Sequence, residues 1–480
     1  MSDKWQKTQQ RLPYPGEGRG EAPQALGQGT ESLRTVRASG TPANTPTMEE
    51  VCDRENLKKA LERVRKNQGS PGVDGLSVGD LPEYLEKHWH EIRTLLMEGK
   101  YRPQPILRKE IPKPDGGGTR ALGIPTVVDR FIQQSILQVL QPRWDPTFSE
   151  HSYGFRPGRS AHQAVHEAQR HIAEGFAVVV DIDLEKFFDR VNHDMLMARV
   201  AKRVEDKRLL KLIRSFLNAG VMDDGLVGPR EEGTPQGNPL SPLLSNLMLD
   251  DLDRELEKRG HRFVRYADDC NIYVRSERAG LRVMESVGRI ITRKLKLRIN
   301  EEKSAVAQPW KRKFLGFSFT SGKNPKRRVA PQSISRLKKR VRVLTRRTRR
   351  VGLDRVLGDL TRYLVGWRNY FGYCETPSVL VLLDSWIRRR LRCYIWRQWR
   401  RGRTRFKQLR MLDLSRSNAA KAAGTSLGPW RLSQSRPLCV AFPNGYFDSL
   451  GLPRLAPCCA SVSEPPYTDP YVRWCDRENP

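Results

Sequence analysis

Two aspartates stand side by side, Asp268 and Asp269, in the string Tyr266-Ala267-Asp268-Asp269. Strand-favouring runs flank them, with Phe263 and Val264 before and Ile272, Tyr273 and Val274 after. This pattern predicts a hairpin whose Ala-Asp-Asp connection pushes both carboxylates out of the sheet. Adjacent carboxylates repel, and Mg²⁺, a hard cation that takes oxygen ligands, offsets that repulsion. A plain solvated turn is the alternative reading of such a pair. A third acid favours the metal. Residues 177–183 form an apolar run that ends in acids, with Asp183 last, and read as a buried central strand. If that strand lies beside the hairpin, Asp183, Asp268 and Asp269 make a three-carboxylate cluster. Such a cluster suits two metal ions about 3.5–4 Å apart and phosphoryl transfer between them. Asp181 shares a face with Asp183 but sits about 6–7 Å further back along the strand, and is assigned a structural role.

The rest of the chain must position these acids. Its first 47 residues are rich in Gly, Pro, Ser, Thr, Gln and Arg and poor in apolar residues, which predicts a disordered leader. Asp53 is placed as the cap of a helix that carries Leu57, Leu61 and Val64 on one face and stops by Gly69. From there to about residue 320 the pattern is mixed α/β, long enough for a sizeable core. Beyond it the chain turns helical. Residues 335–350 carry Leu337, Val341 and Leu344 at helical spacing, with Arg336, Lys338, Lys339, Arg340 and further arginines around the rest. A one-signed run this dense repels itself without a counter-charge, which favours a phosphate backbone as partner. A second basic helix is predicted over 385–410, with Trp386, Ile387, Leu391, Ile395 and Trp399 among arginines that include Arg388, Arg389 and Arg390.

Composition agrees with a polyanionic partner. The 480 residues carry a formal net charge of +32, with a pI near 10.2. Neutralising phosphates releases condensed counterions, so nucleic acid is the obvious partner. No apolar stretch approaches the roughly 20 residues of a spanning helix, and no signal peptide opens the chain, so a soluble, cytoplasmic protein is expected, nucleoid-associated in use. Eight cysteines form no Cys-x-x-Cys pair and no finger-like Cys/His spacing, which argues against structural zinc and against a disulfide framework.

Several ordered blocks give the chain a family likeness. Residues 67–75, 111–125, 152–159, 233–242 and 314–317, with the acidic blocks at 177–189 and 266–269, resemble in order the motifs of reverse transcriptases encoded by bacterial group II introns. The likeness runs from about residue 48 to 455 and takes in residues 366–371 and 445–454. It implies an α/β right-hand polymerase, fingers and palm over 48–320, followed by an all-α thumb over 321–378, a maturase region over 379–455 and a flexible tail over 456–480.

The same resemblance implies roles. Asp183, Asp268 and Asp269 would be catalytic, and together with Leu184 would bind two Mg²⁺ ions. Lys113 and Arg120, which bracket a glycine-rich turn, would grip the incoming triphosphate. Phe188 would exclude a 2′-hydroxyl as a steric gate, while its neighbour Phe187 reads as core. Gln236, in a Pro-Gln-Gly loop, would lie near the templating base pair. Asn238 stands where the family commonly has a second glycine, and is expected to tolerate left-handed backbone there. Lys303 falls where the family has a basic residue near the primer. Arg336, Lys338, Lys339, Arg340, Arg388, Arg389 and Arg390 would bind template or intron RNA. The implied partners are group II intron RNA, an RNA template with its DNA primer, deoxynucleoside triphosphates and a DNA target, with no membrane. The tail lacks the length and ligands of a His-Asn-His endonuclease, which points to the endonuclease-lacking branch. Two other readings stay open: a splicing maturase with vestigial polymerase activity, and a domesticated retron or defence-type enzyme.

Overall fold

The computed structural model describes residues 45–112, 118–223, 226–228, 233, 237–349 and 351–457. Most of the sequence assigned to the leader and the tail therefore lies outside the described residues, as do Lys113 and Gln236. The described chain begins with Thr47 capping the short helix Met48–Val51. Asp53 caps helix Arg54–Asn67 as its sequence predicts, its carboxylate accepting from the amides of Glu55 and Asn56 at 3.0 and 3.2 Å.

The central element is a four-stranded antiparallel sheet in the order Arg262–Tyr266, Asp269–Val274, Val178–Ile182, Ala305–Ala307. Alternation along the strands divides its side chains between two cores. Val180, Ile182, Phe263, Ile272 and Val274 face a large cluster built with helices Val127–Trp144 and Ser241–Lys258. Val179, Val264 and Tyr273 face a smaller one under helix Ala161–Ala173, completed by Phe314 and Phe317. That helix opens with a reciprocal cap, in which Ser160 Oγ accepts from the Gln163 amide at 3.3 Å and the Gln163 side chain accepts from the Ser160 amide at 2.8 Å. A second four-stranded sheet pairs Thr119–Ile124 with Ile106–Pro112 and continues through Val221–Asp223 to Leu226–Gly228.

From Ala330 onward the described fold is helical with its own core. Helices Pro331–Leu344, Leu353–Phe371 and Pro377–Gln398 pack around Leu337, Val341, Leu360, Leu364, Ile387 and Leu391, all of them buried. The apolar stripe Leu337, Val341 and Leu344 is the one expected from spacing, but the helix runs from Pro331 to Leu344 rather than over 335–350. Pro331 supplies a pre-set φ at its first position and Thr345 ends it. The second basic helix also differs from expectation. It begins at Pro377, because the apolar residues 379–383 are already helical, and it breaks at Trp399 before a separate helix, Gly402–Met411. Among the described residues no helix is long and apolar enough to cross a membrane, and Cys52, Cys270, Cys374, Cys393 and Cys439 are free.

Candidate active site

The two acidic segments meet through strand register. Strand Val178–Ile182 runs antiparallel to Asp269–Val274 with Ile182 opposite Cys270, so the next residue, Asp183, leaves the sheet beside Asp269. The hairpin is tighter than its sequence suggests. Asp269 is a strand residue paired with Tyr266, and the connection is the two residues Ala267 and Asp268. Ala267 takes φ +58°, the left-handed region that side chains with a Cβ rarely adopt. This conformation is held from two sides. Arg265, fully buried, donates to the Ala267 carbonyl at 2.9 Å. Gly154 lies so close that a Cβ there would collide with the Ala267 amide nitrogen and come within 2.9 Å of the Tyr266 carbonyl carbon.

Arg265 is in turn fixed by helix Ser241–Lys258. Asn246 and Asp253 project from one face of that helix, seven residues apart, and both are buried. Arg265 donates to Asp253 at 2.7 Å, to Asn246 Oδ1 at 3.1 Å and to Ser152 Oγ at 2.8 Å, while the Asn246 amide donates to the Gly154 carbonyl at 2.9 Å. Burial alone would lower the Arg265 pKa, but the Asp253 carboxylate outweighs it and keeps the guanidinium charged.

Asp183 is anchored through its main chain. Its amide donates to Ser304 Oγ at 3.0 Å and its carbonyl accepts from the Asn300 amide at 2.9 Å. Lys303 Nζ stands 3.6 Å from its carboxylate. Asp181 is buried and paired with Arg312 at 2.8 Å. Asp269 is crowded by acids: burial first, then the charges of Asp181, Asp268 and Asp183, push its carboxyl up to about 8. The donor set fits a hard divalent cation, which would replace that repulsion with attraction. Leu184 can contribute only its carbonyl oxygen, since its side chain is a hydrocarbon that packs in the core.

Residues 111–319 match the family model for reverse transcriptase (RNA-dependent DNA polymerase), and residues 334–412 match the group II intron maturase-specific domain. Protein YkfC of Escherichia coli is 32% identical over 279 residues, an alignment that covers 50% of this chain and 73% of YkfC. The chain belongs to the group II intron reverse transcriptase/maturase family. Group II intron-encoded protein LtrA of Lactococcus lactis is 33% identical over 195 residues, 41% of this chain and 32% of LtrA. A 91 kDa protein in a cob intron of Schizosaccharomyces pombe is 35% identical over 214 residues, 43% of this chain and 25% of that protein. The reverse transcriptase domain is therefore the α/β half described above, and the maturase-specific domain falls within the helical half.

Within the reverse transcriptase domain, Phe187 is buried and Phe188 half-exposed on the single turn Phe187–Arg190, with ring centroids 5.2 Å apart. Gly233 packs against this turn, and a Cβ on it would come within 2.7 Å of the Phe188 and Asp189 carbonyls. His193 Nε2 lies 2.7 Å from the Gly233 carbonyl and ties the same loop down. Arg120 lies on strand Thr119–Ile124, paired with Ile111. Asn238 is a correction. Among the described residues of its loop, Gly233 and Gly237 take positive φ, at +88° and +117°, while Asn238 does not. Gly237 has no room for a Cβ because the Gly123 carbonyl would stand 2.6 Å away, so protein backbone already occupies that side of it.

The predicted RNA-binding cations divide. Lys339 and Arg340 are exposed on helix Pro331–Leu344, with Arg336 and Lys338 half-buried beside them. Arg389 stacks over Trp430 at 3.8 Å, and Arg390 donates to Thr345 Oγ1 at 2.8 Å. Arg388 is the second correction. It is buried and bonded to Asp384 at 3.2 Å and to Asp448, so it holds the helical core together. Sequence reasoning passed over Arg265, Asn246, Asp253, Gly154 and His193. The one available signal was a charged residue, Arg265, directly after the apolar pair Phe263 and Val264 in its strand.

Proposed function

We propose that the protein copies RNA into DNA at the Asp183–Asp268–Asp269 cluster and uses its basic helical half to hold intron RNA. The observation that carries this reading is the register of Ile182 opposite Cys270, which brings Asp183 to the hairpin acids. In this reading residues 48–320 are fingers and palm, 321–378 the thumb and 379–455 the maturase region. Asp183, Asp268, Asp269 and the Leu184 carbonyl would hold two Mg²⁺ ions. When bound, these supply charge neutralisation at the triphosphate and acidify the primer 3′-hydroxyl.

The chain's own groups do the rest. The acids are pre-positioned by Arg265 and Gly154 from one side and by Ser304 and Asn300 from the other, so little reorganisation is left for the reaction. Phe188, fixed by the Gly233 contact, closes the space where a ribose 2′-hydroxyl would sit. Lys113 and Arg120 are assigned to the triphosphate and Gln236 to the templating pair. The exposed cations Lys339 and Arg340 are assigned to the RNA backbone.

Primer extension on an RNA template, with Mg²⁺ and beside Asp268→Ala, tests this. Extension that the substitution abolishes, with intron RNA binding kept, supports the proposal. No extension from well-folded protein that binds intron RNA tightly would make it a splicing maturase instead.

A further inference from the structure

His151, Glu167 and His171 converge at the edge of the central sheet, each offering one ligand atom within 4.8 Å of the others. Glu167 and His171 are four residues apart on helix Ala161–Ala173 and therefore share a face. His151 comes from a different segment. Residues 151–153 lie along the edge strand Arg262–Tyr266, with the Arg265 amide donating to the His151 carbonyl at 2.9 Å and the Tyr153 amide donating to the Arg265 carbonyl at 2.9 Å. No local spacing in the sequence joins these three residues.

The state of His171 is what points to a ligand. Its side chain is 0% exposed, yet neither ring nitrogen has a hydrogen-bond partner. A buried polar atom without a partner costs free energy, so such groups call for an explanation. Nε2 faces Glu167 Oε1 at 3.3 Å without hydrogen-bond geometry, and Nδ1 faces Glu174 Oε2 at 3.8 Å. An imidazole with a carboxylate and a second histidine within reach, and an outer carboxylate facing its other nitrogen, is how a metal-binding histidine is usually supported.

We propose that His151, Glu167 and His171 form a Zn²⁺ site, with Glu174 orienting His171 from behind. Two imidazoles and one carboxylate match zinc's preference for nitrogen and oxygen ligands in a tetrahedral set, with a water in the fourth position on the half-exposed His151 and Glu167 side. A cation already approaches this carboxylate: Arg170 Nη2 lies 2.5 Å from Glu167 Oε1 and competes with zinc for it. The site's role is structural. It would clip residues 151–153 to the helix, and the next residue, Gly154, is the one pressed against the Ala267 turn.

The test uses full-length protein stripped with a chelator, incubated with Zn²⁺ and desalted, with metal counted by mass spectrometry. Wild type and Asp269→Asn, which alters the Mg²⁺ site, are expected to retain about one zinc each. His151→Gln and Glu167→Gln should retain none while keeping the wild-type circular dichroism, and Glu174→Gln should weaken binding roughly tenfold or more. His151 and Glu167 are half-exposed, so these variants stay informative if His171→Gln fails to fold. Co²⁺ in place of Zn²⁺ should give the visible bands of a tetrahedral site in wild type and none in His151→Gln. No retained zinc in wild type, or equal retention in His151→Gln and Glu167→Gln, overturns the proposal.

Discussion

Arg265 and Asp253 form an ion pair in the interior of the protein, and the same guanidinium that meets Asp253 at 2.7 Å holds the carbonyl of Ala267 at 2.9 Å. One charge thus serves both the fold and the acidic turn. Asp253→Asn strands that charge and should cost about 3–5 kcal/mol in denaturant unfolding. Replacing both residues with apolar side chains of similar volume should recover most of that stability. The double variant still lacks the donor to Ala267, so its primer extension should stay low. Recovery of extension together with stability would show that the pair serves folding alone.

Asp269 should make the metal-free protein pH-sensitive. Its folded pKa is raised to about 8, first by burial and then by neighbouring acids, so its contribution to stability is complete below about pH 4 and lost as pH rises through 8. Asp269→Asn removes that dependence. The variant should gain about 2 kcal/mol on wild type between pH 5 and pH 9, less than the full shift implies because the side chain keeps contact with water. Millimolar Mg²⁺ should close the gap by stabilising wild type alone. Parallel stability profiles with pH would refute the crowding.

What was legible in the sequence follows from which forces are local. The strand ending at Asp183, the hairpin at Asp268 and the stripe Leu337, Val341, Leu344 all rest on periodicities of two or 3.6, which a single segment displays. The Arg265 network does not, because Asn246, Asp253, Ser152 and Gly154 lie up to about a hundred positions away and meet only once the sheet edge is built. Arg388 was misassigned for a related reason. In a run of three arginines composition is uniform, and only the helix phase, set by packing around Ile387 and Leu391, decides which one turns inward. Asn238 was read from its own tolerance of left-handed backbone, but the adjacent Gly237 takes a positive φ instead.

Gly154→Ala tests the contact beneath the acidic turn. The added Cβ meets backbone, which cannot swing aside, so the Ala267 turn must move. A displacement of order 1 Å at reacting groups lowers turnover on the order of 10²-fold, with overpacking costing about 1–3 kcal/mol of stability. Gly158→Ala is the control: Gly158 has φ +70° but nothing within 4 Å of a Cβ, so it carries the backbone strain without the collision. Steady-state extension by both variants separates the two effects. Gly154 itself is not among the positive-φ glycines, so its alanine adds the collision alone, and equal losses would show that any disturbance of this loop lowers extension.

Sugar selection should rest on Phe188. Phe187 fills the core behind it and Gly233 presses on its carbonyl, so the Phe188 ring has little freedom to retreat from an incoming ribose. Phe188→Ala should therefore raise ribonucleotide incorporation by an order of magnitude or more while leaving deoxynucleotide extension within a few-fold of wild type. Competition between the two nucleotide classes in single-turnover extension measures this, and unchanged discrimination would refute the gate.

Lys339 and Arg340 should carry RNA affinity that Arg388 does not. The first two are exposed on the face of helix Pro331–Leu344 that turns away from buried Leu337 and Val341, whereas Arg388 is committed to Asp384 and Asp448. Neutralising two cations that touch phosphates lowers the slope of log affinity against log salt by about 1–2. Lys339→Gln with Arg340→Gln should show that change at unaltered stability. Arg388→Gln should leave the slope intact for the protein that remains folded. Its cost should appear in unfolding instead, because buried Asp384 loses its cation while Asp448 keeps only Arg454. A salt slope that drops in Arg388→Gln and not in the double variant would reverse the assignment of these three residues.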